Sequence, residues 1–340
     1  MNPYSDVGYL FFSTSDLSAQ SLYIEGYGVT TIGALGIILN VIGIVDLLQR
    51  KNRKIFFNLL LASQLVFDSL LLATFLTKSV FTHFLGIPNE QFIFYYLILC
   101  PLIRFSICGT IFMTVTLAYS RTNAVEKPLQ NRNSNFSQSE RIQHLLKHVL
   151  PSFFASIILT IPWFWEYEVQ YNFKTASGTP ILLASDIRLD PIYSLTFVAT
   201  FSLLLISVLP TLAIIVLSLR IYRRIRQSFS STAGDNTRTR VFNNKNHTNK
   251  IVILIAVFFL IFRIPRMLLT IMEIVIQILN LNKIDIANAM GCYAREWISL
   301  LNFVNDFFQV LNSATHVFMY KGVSMFKSRS NEPNDLRTNV

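Results

Sequence analysis

The sequence predicts an all-α membrane protein: a seven-transmembrane helix bundle with its N-terminus outside and its C-terminus in the cytosol. Three observations carry that expectation. The 340-residue chain is 52% hydrophobic and only 14% charged, with 29 Phe, which is too apolar for an ordinary soluble domain. Seven apolar runs are long enough to cross a bilayer, near residues 27–49, 55–82, 92–121, 143–165, 192–219, 251–280 and 294–320. Finally, 21 of the 29 Lys and Arg residues fall in four groups: after the first run, between the third and fourth, between the fifth and sixth, and after the seventh. The positive-inside rule places those groups in the cytosol and the N-terminus outside, in keeping with the absence of Lys and Arg from residues 1–49. That parity requires an odd number of crossings, in agreement with seven runs. The net charge of +10 is therefore a topology signal and not a nucleic-acid footprint.

Three parts follow: an extracellular tail over 1–26, a transmembrane domain over 27–327 and a cytoplasmic tail over 328–340. Residues 1–26 have no basic stretch of the kind that opens a secretory signal, and are expected to form a short flexible outer tail with Asp6, Asp16 and Glu25. The first run carries Gly33, Gly36, Asn40 and Gly43, small residues at a spacing that lets helices approach closely. The second places Asp68 among leucines, where a carboxylate must be neutral, paired or bound to a cation; Asn40, Asn312 and Ser313 are its candidate partners. The third run carries Cys100, Arg104 and Cys108 and ends on Arg121 at the cytoplasmic foot.

The fourth run closes on Pro162-Trp163-Phe164-Trp165, an interfacial aromatic belt, followed by Glu166 and Glu168. An outer loop over 166–191 contains Gly178 and Pro180 and no Cys. Pro210 interrupts the fifth run, whose inner extension from Arg220 is basic, and residues 228–249 read as a flexible inner linker. The sixth, Lys250–Glu273, is apolar all round except for Arg263, Pro265 and Arg266. Two arginines inside a span must face protein or a watery cavity, and the proline kinks the helix, which makes this segment a natural moving part. The seventh carries Glu296, Trp297, Asn302, Asn305, Asp306, Gln309, Asn312 and His316, a polar face turned to the bundle interior. Past Tyr320, a short amphipathic helix is expected along the membrane.

Enzymatic chemistry finds no foothold. Three Cys and five His show no metal-ligand spacing, and there is no glycine-rich phosphate loop and no G-x-S-x-G elbow. No cofactor is expected.

The landmarks, in order and spacing, resemble the rhodopsin-like (class A) G-protein-coupled receptors over about residues 27–327. Asn40 matches that family's first-helix Asn, Asp68 its second-helix Asp, and Arg121 the arginine of D/E-R-Y. Pro210 and Pro265 match its fifth- and sixth-helix prolines, and Asn312-Ser313 with Tyr320 its N-S…N-P-x-x-Y ending. Ser120, Arg263 and His316-Val317 depart from it, standing in place of the acidic residue beside the arginine, the sixth-helix tryptophan and Asn-Pro. Ile161-Pro162-Trp163-Phe164-Trp165-Glu166, Arg188-Leu189-Asp190-Pro191-Ile192-Tyr193 and Ile264-Pro265-Arg266 running to Glu273 look like the invertebrate, including nematode, FMRFamide-type neuropeptide receptors.

The resemblance implies a plasma-membrane, multi-pass receptor that binds an extracellular ligand and activates a heterotrimeric G protein by movement of the sixth helix. An amidated Arg-Phe peptide would seek a carboxylate among Glu166, Glu273 and Glu296, with Tyr193 and Trp297 receiving aromatic groups. Arg104 and Arg266 either pair with those carboxylates or bind an anionic ligand. Arg121, Arg220, Arg263, Pro265, His316 and Tyr320 are the implied coupling and activation residues. Asn40, Asp68, Asn312 and Ser313 form the implied intramembrane polar set, a candidate sodium site. Two other readings stay open: a chemosensory receptor for a small anionic molecule resting on Arg104, Arg263 and Arg266, and a transporter or channel. Cys100 and Cys292 either pair or stay as thiols.

Overall fold

In the computed structural model the chain is described over residues 22–49, 56–85, 95–126, 138–171, 180–231, 254, 256–272, 274–275 and 301–317. These residues are almost entirely helical. Helix α1 runs as a π-helical stretch Leu22–Val29 and continues as α-helix Thr30–Leu48. Helix α2 covers Phe56–His83. Helix α3 starts as Tyr95–Leu99 in wide turns and continues over Cys100–Glu126. Helix α4 is Gln138–Thr160, tightening to a 3₁₀ turn at Ile161–Trp165. Helix α5 is π-helical over Ser194–Val208 and α-helical over Leu209–Ser231. The described parts of the last two expected spans are helical as well: α6 over 256–272 and α7 over 301–317.

Among the described residues, five helices, α1 to α5, are long and apolar enough to cross a membrane. The placement of side chains agrees with a lipid surround. Leu35, Ile38, Ile42 and Val45 of α1 and Leu204, Leu212 and Val216 of α5 are exposed, while Asn40, Asp68, Asn305 and His316 are buried. A water-soluble protein inverts that pattern. The chain is a helical membrane protein.

Helices α2 and α3 form the centre, each more than half buried, whereas α1, α4 and α5 expose most of their surface. Helix α3 contacts α2, α4 and α5. Close approach is a glycine matter at two places. A Cβ on Gly109 would overlap the ring of Phe67, so α3 lies on α2 only because that position is bare. A Cβ on Gly36 would come within 2.8 Å of both Leu72 and Ala314, so α1 seats against α2 and α7 together. Three apolar clusters fill the bundle. The inner one includes Leu47, Leu61, Leu65, Met113, Leu117, Ile221 and Val317; an outer one gathers Val29, Leu72, Phe75, Leu99, Ile103 and Val310. The third joins Ile111, Ile214, Ala256 and Phe259, locking α3, α5 and α6 together.

Two differences from the expected boundaries have physical causes. Helix α1 begins at Leu22, so Leu22–Gly26 belong to the bundle and not to the tail. Glu25 explains this, because Lys78 of α2 meets its carboxylate at 2.6 Å and Ser79 donates to its carbonyl at 2.6 Å. Two parts of the segment expected as a loop over 166–191 are strands: β1 (Tyr167–Tyr171) pairs antiparallel with β2 (Pro180–Ala184), Tyr167 opposite Ala184 and Tyr171 opposite Pro180. The amide of Ser185 donates to the Glu166 carbonyl at 3.0 Å and its hydroxyl to the Trp165 carbonyl at 2.6 Å, closing the hairpin onto the end of α4. Short helical segments Asp186–Leu189 and Pro191–Tyr193 then lead into α5.

Candidate functional site

A buried polar layer crosses the bundle where α1, α2, α3 and α7 meet. Gly36 and Gly43 lie four before and three after Asn40, on the same helical face. Gly36 faces Leu72 and Ala314, and Gly43 faces Leu65 and Val317, so Asn40 sits level with Asp68 and His316. Asp68 is fully buried, and its Oδ2 lies 2.6 Å from Nδ1 of His316, 248 residues away in sequence. Gln64, one turn earlier on α2, donates to both carboxylate oxygens at 3.3 and 3.4 Å and to the Thr110 carbonyl at 3.3 Å. Asp68 is thus met by donors from α2 and α7, and α3 joins through Gln64.

The expected partners Asn40, Asn312 and Ser313 are buried in this region but do not supply the bonds to Asp68; His316 and Gln64 do. His316, expected among the activation residues, therefore belongs to the polar layer. The imidazole edge meets Oδ2 alone, and the Gln64 amide lies within reach of both oxygens. Asn40 Oδ1 and Nδ2, Thr110 Oγ1, Asn312 Oδ1, Ser313 Oγ and His316 Nε2 are buried with no hydrogen-bond partner among the described residues. So many unmatched groups in one stratum make it the least self-satisfied part of the core.

Helix α6 is hydrogen-bonded to α5 through Arg263. Arg263 is only 6% exposed and its Nη2 donates to the Ile206 carbonyl at 2.8 Å and to Ser207 Oγ at 3.3 Å. Local sequence makes that carbonyl a suitable acceptor. The N–H of Leu209 reaches back to Leu204, and Pro210 has no N–H with which to approach Ile206. The guanidinium fills the role that a backbone donor cannot. Pro265 lies two residues further along α6, half-buried.

In the half of the bundle that holds Glu25 and Lys78, the Arg104 guanidinium lies over the Trp163 ring at 4.2 Å, joining α3 to the end of α4. Glu166 is fully buried, with the Tyr193 hydroxyl donating to its Oε1 at a long 3.5 Å. Tyr193 itself stacks on Phe197 at 5.4 Å. Arg266 is half-buried on α6, one turn from Arg263. Opposite them, Lys78 bridges Glu25 of α1 and Asp306 of α7, at 2.6 Å to each, with His83 Nε2 3.4 Å from Glu25. That clasp of α1, α2 and α7 was not singled out from sequence. Lys78 near the outer end of an apolar run is its only local signal.

At the opposite end of the bundle from Glu25 and Lys78, Arg121 lies over the Phe57 ring at 3.4 Å and its buried Nε has no partner among the described residues, so it turns into the bundle and not toward lipid phosphate. Arg220 is exposed and lines a groove with Val115, Thr116, Tyr119, Val216 and Leu217 between α3 and α5. Glu273, Glu296, Trp297, Tyr320 and Cys292 lie outside the described residues. Among the described residues no cluster of three His, Cys, Asp or Glu side chains offers a metal site. Compared with known proteins, the chain matches no family model, and no curated sequence matches it.

Proposed function

We propose that this chain is a seven-helix receptor of the rhodopsin-like type, set in the plasma membrane with its N-terminus outside. It takes an extracellular ligand in the outer half of the bundle and activates a heterotrimeric G protein at the inner face. The observation that carries the reading is the polar layer. Asp68, Asn40, Asn312 and Ser313, matched to the receptor pattern by sequence order alone, are all buried in the bundle core, and His316 closes on Asp68 at 2.6 Å. A buried, under-satisfied polar stratum is unfavourable for a passive scaffold and suited to a bundle that exchanges two arrangements.

In this reading α6 is the moving element. Ligand binding shifts the population toward a state in which Arg263 leaves the Ile206 carbonyl and the inner end of α6 swings outward. Arg121, Arg220 and Tyr320 then meet the G protein. The ligand classes are an amidated Arg-Phe peptide, received by Glu166, Glu273 or Glu296 with Tyr193 and Trp297, or a small anion. One observation favours the second: Arg104 and Arg263 have no carboxylate partner among the described residues, whereas Glu25 and Asp306 are already held by Lys78.

The test is a signalling screen in cells that display the chain, using amidated Arg-Phe peptides and small organic acids, with Arg121→Ala at matched surface expression. A response that disappears in Arg121→Ala supports the receptor reading. Uptake or conductance of the ligand, undiminished in Arg121→Ala and independent of any G protein, would replace it with a transporter or channel.

A further inference from the structure

We propose that the groove between α3 and α5 binds an anionic phospholipid, with one acyl chain along the groove and the phosphate on Arg220. The lipid belongs to the leaflet that borders the Arg220 end of α5. The site requires only that the bundle lie in a bilayer, so it stands or falls apart from the receptor reading. Three arrangements on the two helices carry it.

The seam has the shape for a chain. Val115 and Tyr119 of α3 and Ala213, Val216, Leu217 and Arg220 of α5 line a cavity of about 410 Å³. Their spacing of three and four residues makes each set one face of its helix. At 1.5 Å per residue, the stretch from Ala213 to Arg220 runs for about 10 Å along α5. Ala213 gives the groove its depth, since its methyl group stands one turn before the larger Val216 and Leu217.

The lining suits hydrocarbon and not water. Thr116 also borders the groove, but its hydroxyl shares a hydrogen bond with Ser152 of α4 at 2.9 Å, so it asks nothing of an occupant. Buried Ile111, Leu117, Ile214 and Ile221 sit in the packed clusters that join the two helices, which closes the groove behind. In front it is open, with Tyr119 50% and Val216 48% exposed. An apolar cavity does not hold water, and at membrane depth a lipid tail lies within reach to fill it.

The cations select the headgroup. Arg220 stands at one end of the groove and is exposed. Arg223 and Arg224, three and four residues further along α5, are exposed on the same side. A guanidinium meets a phosphate through two parallel N–H bonds, and basic side chains beside a bilayer attract anionic lipid. Phosphatidylcholine offers the phosphate too, but it brings a quaternary ammonium against three arginines. A headgroup of net negative charge does not.

The experiment measures which lipid occupies the groove. The full chain carrying Tyr119→Trp is placed in phosphatidylcholine nanodiscs with a minor share of lipid whose acyl chains are brominated, since bromine quenches indole on contact. The wild-type chain supplies the correction for the native tryptophans. Brominated phosphatidylserine should quench Tyr119→Trp several-fold more effectively than brominated phosphatidylcholine at equal mole fraction. Arg220→Gln should lower that preference about fivefold. Ala213→Phe, which fills the groove and leaves the charges, should reduce quenching by both lipids. Glycerophosphoserine, a headgroup without chains, should not displace the lipid. Equal quenching by the two lipids, a preference untouched by Arg220→Gln or by Ala213→Phe, or displacement by glycerophosphoserine would overturn the site. The wild-type chain gives a second route: its thermal midpoint should rise when phosphatidylserine is added to phosphatidylcholine nanodiscs, and the rise should vanish in Ala213→Phe. No rise, or one that persists in Ala213→Phe, would count against the groove as strongly.

Discussion

His316 decides how Asp68 is kept in an apolar bundle. The carboxylate has no solvent, so its stability depends on the donors at 2.6 Å from His316 and 3.3 to 3.4 Å from Gln64. Removing one member of such a pair strands the other. His316→Ala should therefore lower stability by about 3–5 kcal/mol, while Asp68→Asn combined with His316→Asn should cost clearly less than the two single changes added together. Thermal unfolding of the four variants in one detergent checks this, and additive effects would show that the contact is energetically idle. The pairing was not legible from sequence. Asp68 announced itself as a charge among leucines, but which of several polar residues on the seventh run turns toward it depends on helix rotation, and residues 248 apart fix that only in three dimensions. His316 stood out as a departure from the receptor pattern, and that departure was the available signal.

At the scale of elements, much could be read in advance because helix packing is written in local spacing. The glycines of the first run were expected to admit close neighbours, and Gly36 and Gly43 do so against α2 and α7. Gly109 of α3 carries the same logic, and Gly109→Ala should cost about 1–3 kcal/mol by pushing α3 off the Phe67 ring, with much of the loss recovered in Gly109→Ala/Phe67→Leu. Denaturation midpoints of the two variants measure it. The hairpin is hard to see in the sequence because Gly178 and Pro180 make 166–191 read as a loop. The five-residue strands Tyr167–Tyr171 and Pro180–Ala184 flank a segment holding Gly178, which was the hairpin cue. The early start of α1 was missed for a different reason: Glu25 looks like a tail charge until Lys78 is placed beside it.

For the whole molecule, apolar run length made a helical membrane protein legible and the sorting of Lys and Arg predicts its orientation, since each answers to the bilayer and not to a particular partner. Tags at the two ends test the orientation: an N-terminal tag should be stained on intact cells and a C-terminal tag only after permeabilisation. Staining of both ends on intact cells would refute an odd number of crossings. Lys78 closes the α1–α2–α7 side, and the arginines of α3 and α6 face the other.

The account turns on α6 being held by Arg263 and released to engage a G protein. The direct measurement is nucleotide exchange on purified heterotrimeric G proteins by the chain in nanodiscs, comparing wild type, Arg263→Leu and Arg263→Leu with Arg121→Ala. Losing the bond to the Ile206 carbonyl should raise basal exchange severalfold, and adding Arg121→Ala should return it to background. Exchange that stays at background in Arg263→Leu, with the helical circular dichroism signal unchanged, would contradict the account.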